Sequence, residues 1–184
     1  AEIVQAHSNF CGHAPIICSK AYAYAMTKLD AEEEALISSY YGSMVEFVYN
    51  ALIDIGAAMP DKNYTVSGTF YVLADLSDCL GIEPHSDTKQ ALPEMTHIID
   101  DETLVKDLIF RKQIMLCPLS YFGVNSKKGY VRITCSDVVD CEYIINQLGK
   151  FLAEVRKEKL DKLDTKIKTR LEFLAIYDSN EAGM

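Results

Sequence analysis

The chain has 184 residues, 49% hydrophobic and 24% charged, a composition typical of a globular protein that buries a core without disulfide staples. Its net charge of −9 argues against a general binder of nucleic acid or anionic membranes. No apolar run approaches the roughly 20 residues that a membrane-spanning helix needs, and the first residues do not form a signal peptide.

The first third of the chain predicts two helices. Pro15 fits the first turn of a helix from Ile16 to about Lys28, because its missing N–H costs nothing there. Asp30 followed by Glu33 has the spacing of a capping box and opens a longer helix, which Gly56 ends. The apolar stripe of this helix comprises Leu36, Tyr40, Met44, Phe47, Val48, Ala51 and Ile55.

The rest of the chain alternates strands with helices. The predicted strands are Tyr64 to Val66, Thr69 to Leu76, Ile114 to Cys117 and Tyr130 to Cys135. Asp100 or Asp101 caps a helix that runs to about Lys112, and Ser136 caps a final long helix. This order predicts an α+β fold, with helices packed on one face of a small, mostly antiparallel sheet.

The six cysteines form no CxxC pair, and several lie in apolar runs. We interpret them as buried, reduced thiols of a cytoplasmic protein. Cys11 and His13 are close enough to suggest a metal pair, but without a second pair of ligands they do not predict a metal site.

Basic residues are concentrated between Lys150 and Arg170, where eight basic and four acidic residues give a net charge of +4 and leave −13 for the rest. The segment is either a basic arm for phosphate backbones or an amphipathic helix with a solvated polar face. The helical spacing of its apolar residues and the interleaved acids favour the amphipathic helix.

Arg132 is the candidate for chemistry. Strand alternation places Tyr130, Arg132 and Thr134 on one face and Val131 with Ile133 on the other. A lone arginine in such a segment either binds a planar anion through its fork of donors or pairs with an acid on a neighbouring element. The residue pattern alone favours the second, structural role.

Three segments, taken in order, resemble the class I/II pyridoxal-phosphate-dependent aminotransferases of fold type I, the aspartate aminotransferase type. Ser67 to Leu76 is similar to the family's Gly-[Ala/Thr]-Phe-Tyr strand that opens the small domain. Asp100 to Gly123 is similar to the helix, strand and Pro-Gly-Ser-x-Phe-Gly loop beside the active site, with Leu119 in place of the usual glycine. Gly129 to Ser136 resembles the strand that carries the arginine binding the substrate α-carboxylate. The opening Gln5 to Asn9 and the helix after it are similar to the large-domain segment just beyond the cofactor-binding lysine, so the resemblance covers residues 1 to about 155.

The resemblance implies a division of the chain into three parts. Residues 1–30 would be a remnant of the large domain, 31–155 the aminotransferase small domain, and 156–184 a helical extension. The small domain of this family has the α+β architecture that the element order predicts. A homodimer is the assembly that the family implies.

The resemblance also implies the site. Arg132 would bind the substrate carboxylate, Phe122 would contact the substrate, and Ser8 with Asn9 would approach the phosphate of pyridoxal 5′-phosphate. The lysine that carries this cofactor lies upstream of Ala1 in family members, so we expect no catalytic residue in this chain and no activity from it alone. The substrates implied for the parent enzyme are an amino acid and a 2-keto acid.

Two alternatives remain open. The chain could be a non-catalytic regulatory or interaction domain that keeps the small-domain fold. It could also belong to a related pyridoxal-phosphate decarboxylase or lyase, because those enzymes share this domain.

Overall fold

A computed structural model describes residues 15–59 and 68–181, with side chains to residue 170. Five helices and three strands lie in these ranges. The helices are α1 (Ile16–Met26), α2 (Ala31–Asp54), α3 (Ser86–Ala91), α4 (Asp101–Lys112) and α5 (Val138–Glu181). The strands are β1 (Tyr71–Asp75), β2 (Cys117–Pro118) and β3 (Tyr130–Thr134). The α+β fold predicted from the sequence is therefore confirmed.

The chain divides into two compact units, Ala1–Tyr40 and Tyr41–Met184. In the described part of the first unit, α1 has no buried residue and α2 begins at a cap on Asp30. The Asp30 carboxylate accepts hydrogen bonds from the N–H groups of Glu32, at 2.9 Å, and Glu33, at 2.8 Å. The predicted helix start is confirmed, because these two amides have no partner within the helix itself.

The sheet of the second unit is antiparallel, in the order β1-β3-β2. β3 pairs with β1 along its whole length, from Tyr71 opposite Thr134 to Asp75 opposite Tyr130. Only Cys117 and Pro118 of β2 pair with it on the other side. The strand predicted from Ile114 to Cys117 is thus displaced, because β3 offers a ladder partner only at the end of that segment. The predicted strand Tyr64 to Val66 lies outside the described residues.

One face of the sheet carries the core. Alternate residues of β1 and β3 are buried, and they pack with the inward faces of α2, α4 and α5. The buried set from these elements is Met44, Val45, Val48, Leu52, Val72, Ala74, Leu104, Val105, Leu108, Val131, Ile133, Leu148, Phe151, Leu152 and Val155. The other face of the sheet is left more exposed, and it is the face that carries Arg132.

Two predictions about the helices need correction. Of the stripe predicted for α2, Leu36, Tyr40 and Phe47 are 72%, 47% and 43% exposed. The face that is buried begins only at Met44 and continues through Val45, Val48 and Leu52. At the start of α5, the Asp137 carboxylate rather than Ser136 caps the helix, accepting from the N–H of Asp140 at 2.9 Å. Among the described residues, no helix is long and apolar enough to cross a membrane.

Candidate functional site

Arg132 lies in the middle of β3, opposite Leu73 of β1 and Cys117 of β2. The predicted alternation is present, since Val131 and Ile133 are fully buried and Arg132 is half-buried on the opposite face. Gly129 directly precedes β3 and allows the chain to pass close to the backbone of Ser77. A Cβ at Gly129 would lie 3.1 Å from the Cα of Ser77, and its φ of 67° also favours glycine.

The guanidinium of Arg132 is held by aromatic rings. Its Cζ lies 4.0 Å from the ring centroid of Tyr71 and 4.7 Å from that of Phe122. Tyr71 is the diagonal cross-strand neighbour of Arg132, so the sheet register creates this contact. Stacking on two rings restricts the guanidinium plane while leaving its N–H donors unused.

No acid neutralises Arg132 among the described side chains, where it makes no ion pair and its Nε is buried without a hydrogen-bond partner. Buried donors in proteins are nearly always hydrogen-bonded, so this arrangement calls for an explanation. The structural role that the residue pattern favours, pairing with an internal acid, is therefore not what these side chains show.

Arg132 lines an open groove of about 640 Å³ beside β2 and α4. Two charged residues of α4, Glu102 and Lys106, reach the same groove. Its other lining residues are mainly apolar, namely Val105, Ile109, Met115, Leu116, Cys117, Pro118, Tyr121 and Ile144, and Thr134 and Ser136 complete the lining. A single free arginine in a largely apolar depression suits a ligand that carries a carboxylate on an apolar body.

Phe122 ends the single 3-10 turn Leu119–Phe122. Leu119, which replaces the glycine expected from the resemblance, is buried and fixes the start of the turn. Phe122 itself is 57% exposed and packs against the Arg132 guanidinium. The structure thus brings Phe122 and Arg132 together, while Ser8 and Asn9 lie outside the described residues.

Two residues near Arg132 were missed by the sequence reasoning. Tyr71 belongs to the strand that resembles the family, but its contact with Arg132 depends on a register that one strand does not reveal. The sequence predicts no role for Asp101 other than that of a possible helix cap. In the structure, its carboxylate is fully buried and accepts from the N–H of Ser120 at 2.8 Å. Asp100 is the residue that caps α4, in a capping box with Thr103.

The thiols and possible metal ligands do not form a second site in the described ranges. No group of three His, Cys, Asp or Glu side chains gathers there, and Cys11 and His13 fall outside those ranges. Cys79, Cys135 and Cys141 are buried and free, as predicted, whereas Cys18 is exposed and Cys117 is half-buried. Burial raises the pKa of Cys79 and of Cys135 to about 12, so neither is an activated nucleophile near neutral pH.

The described lysines do not fit the cofactor that the resemblance implies. A lysine that joins a carbonyl cofactor needs a free amine in an enclosed site. Every described lysine is exposed except Lys112, and Lys112 is paired with Glu154 at 2.6 Å. None of the described lysines therefore has the free, enclosed amine that would carry this cofactor.

Two comparisons with known proteins add nothing to this geometry. Neither the models of protein families nor the curated proteins contain a match to the chain.

Proposed function

We propose that this chain is the C-terminal part of a pyridoxal-phosphate-dependent aminotransferase of class I/II, in which Arg132 binds the α-carboxylate of an amino acid or 2-keto acid. The observation that carries the proposal is the guanidinium held between the rings of Tyr71 and Phe122, at a groove, with no acid partner among the described residues. The order of the three family-like segments supports the same assignment.

The two rings suit Arg132 to this role. A carboxylate accepts two parallel N–H···O bonds in the plane of a guanidinium, so restricting that plane restricts the orientation of the ligand. An oriented carboxylate in turn fixes the carbon next to it, which is the carbon whose bonds change in transamination. The contribution proposed for this chain is therefore binding and orientation, while the cofactor and its lysine belong to another part of the parent enzyme.

The first prediction concerns carboxylate binding. Titration of the ¹⁵N-labelled chain with pyruvate should shift the NMR signal of the Arg132 Nε–H, because a carboxylate bound to the guanidinium changes the charge distribution around this N–H group, which has no hydrogen-bond partner among the described residues. Arg132→Ala should abolish the binding, through loss of a charge-assisted bidentate contact of about 2–4 kcal/mol. In the parent enzyme, the same change should lower kcat/KM by roughly 30- to 1000-fold for every amino-acid donor.

Three controls make the test specific. Arg170→Ala removes an exposed arginine of α5 and should leave pyruvate binding unchanged. Arg132→Lys keeps the charge but loses the planar fork, so it should bind far more weakly than the parent chain. Pyruvamide, the neutral analogue, should cause no shift. Equal binding of pyruvate by the unsubstituted chain and by Arg132→Ala would refute the proposal. A pyridoxal phosphate adduct that borohydride fixes on a lysine of this chain would refute it as well.

A further inference from the structure

Helix α4 contains two carboxylates that are completely buried, Asp101 and Asp107. A buried carboxylate is costly unless hydrogen bonds compensate the lost hydration. The Oδ1 of Asp107 accepts from the N–H of His85, at 2.9 Å, and from the hydroxyl of Thr88, at 2.7 Å, so Asp107 ties α4 to α3 and to the residue before it. Its Oδ2 lies 3.8 Å from Arg111 on the same helix and has no hydrogen-bond partner among the described residues.

Asp101 has a different partner. Its Oδ2 accepts from the N–H of Ser120 at 2.8 Å, and its Oδ1 is buried without a partner among the described residues. Ser120 lies inside the turn Leu119–Phe122, whose last ring stacks on the guanidinium of Arg132. One hydrogen bond thus connects the first turn of α4 to the aromatic side of the carboxylate site.

The turn has few other attachments. Its backbone is closed by the N–H of Gly123, which donates to Ser120 at 3.0 Å, and by the N–H of Val124, which donates to Leu119 at 3.3 Å. Leu119 anchors one end by burial, while Tyr121 and Phe122 are mostly exposed. Without the bond to Asp101, no other hydrogen bond among the described residues would join this turn to α4. The turn would keep the buried Leu119 side chain, the pairing of Pro118 with β3 and the weak contact of the Phe122 ring with Arg132.

We infer that Asp101 is a positioning residue, which holds the Phe122 ring against Arg132 and thereby sets the orientation of the carboxylate-binding guanidinium. The inference rests on the proposed function for its effect on substrate, but its structural part is independent of it. The competing explanation is that Asp101 only stabilises the N-terminus of α4, where a negative charge is favourable.

A single-tryptophan reporter separates these explanations. The chain has no tryptophan, so Phe122→Trp places the only indole of the protein over Arg132. In this background, Asp101→Ala should increase acrylamide quenching of the indole about two-fold, because a loosened turn exposes both ring faces. Asp107→Ala removes an equally buried carboxylate from the same helix and should leave the quenching unchanged.

Binding supplies the second readout. With Phe122 retained, Asp101→Ala should weaken pyruvate binding roughly tenfold, since small misplacement of an orienting group is costly. Asp101→Asn keeps an oxygen that accepts from Ser120 and should restore most of the affinity, whereas Asp107→Ala should keep all of it. A general loss of stability would not produce this pattern.

The outcomes are decisive even if one variant does not fold. If circular dichroism shows Asp101→Ala to be unfolded, Asp101→Ser is compared with Asp107→Ser. The shorter side chain withdraws the acceptor from the N–H of Ser120 but keeps a polar group in the first turn of the helix, so only Asp101→Ser should increase the quenching. Equal quenching in the paired variants would overturn the inference. Failure of pyruvate to bind the parent chain would refute the proposed function instead, while a difference in quenching between the paired variants would still support the positioning role.

Discussion

Arg132 differs from Arg111 and Arg156 in what its guanidinium touches. Arg111 contacts three carboxylates, and Arg156 donates to the carbonyl oxygens of Ile55 and Gly56. The N–H donors of these two arginines bind oxygen atoms of the protein itself, as those of structural arginines do. Arg132 touches aromatic faces that leave its edge donors unused, which is the property that a ligand-binding arginine needs.

Gln113 gives a test of backbone strain at the residue scale. It ends α4 in the left-handed region, with φ 57°, where a Cβ is unfavourable and glycine is the usual residue. Gln113→Gly should therefore raise the free energy of unfolding by about 0.5–1 kcal/mol, measured by urea denaturation. Gln147→Gly, inside α5, should have the opposite sign, because glycine lowers helix stability. Destabilisation by both changes would contradict the strain argument.

The largest ionic contact between elements joins α4 to α5. Arg111 has a side chain that is only 4% exposed, lies 3.0 Å from Glu154 and from Glu158, and covers the ring of Phe151. Burial alone would raise the pKa of Glu154, but hydrogen bonds from Lys112 and Arg111 outweigh it and lower the pKa. Because the pKa falls on folding, this contribution is present above the ordinary value of 4.5 and is lost as the pH decreases through the lowered pKa.

Arg111→Met is the corresponding prediction at the element scale. Removing the guanidinium leaves Asp107 buried without its charge partner and Glu154 and Glu158 facing each other, so the expected destabilisation is about 3 kcal/mol. Lys112→Met, at the next position, breaks a more exposed pair with Glu154 and should cost about 1 kcal/mol or less. Urea denaturation at pH 7 measures both, and equal losses would show that the buried network has no special weight.

In the molecule as a whole, the last helix, α5, extends beyond the hydrophobic core. Phe151, Leu152 and Val155 are buried in the core, and Val155 is the last buried residue of α5 with a described side chain. The helix continues without a break to Glu181, and its residues 159–170 are all exposed. The segment is helical as predicted, and Leu152 and Val155 of its apolar stripe are buried. Farther along the same stripe, Leu163 and Ile167 are 53% and 48% exposed, so the described residues leave that part of the stripe largely uncovered.

Truncation tests this division. Removing residues 160–184 deletes no described side chain that contributes to the core, so the free energy of unfolding should change by less than about 0.5 kcal/mol. Removing residues 150–184 also deletes Phe151, Leu152 and Val155, at about 2–5 kcal/mol each, and should unfold a domain of ordinary stability. Circular dichroism during thermal denaturation distinguishes the two. A large loss of stability from the shorter truncation would show that the projecting helix has a structural partner.

Features that depend only on neighbouring residues can be predicted from the amino-acid sequence. Asp30 and Asp100 predict helix starts because a short carboxylate caps the amides two or three positions later. Alternation in Tyr130 to Thr134 predicts which face carries Arg132 because successive strand side chains point to opposite sides. The likeness to the aminotransferase small domain, by contrast, stays a prediction, and so do the division into 1–30, 31–155 and 156–184 and the roles of Ser8 and Asn9.

The surroundings of Arg132, by contrast, depend on the tertiary structure. Its contact with Tyr71 requires the register of β1 against β3, and its contact with Phe122 requires the turn that Asp101 holds. These partners are distant along the chain, and no local periodicity relates them. They meet because burying one face of the sheet fixes the register, and a shift by one residue would turn Arg132 into the core. The position of the arginine is therefore a local property, whereas its freedom to bind a carboxylate is a property of the fold.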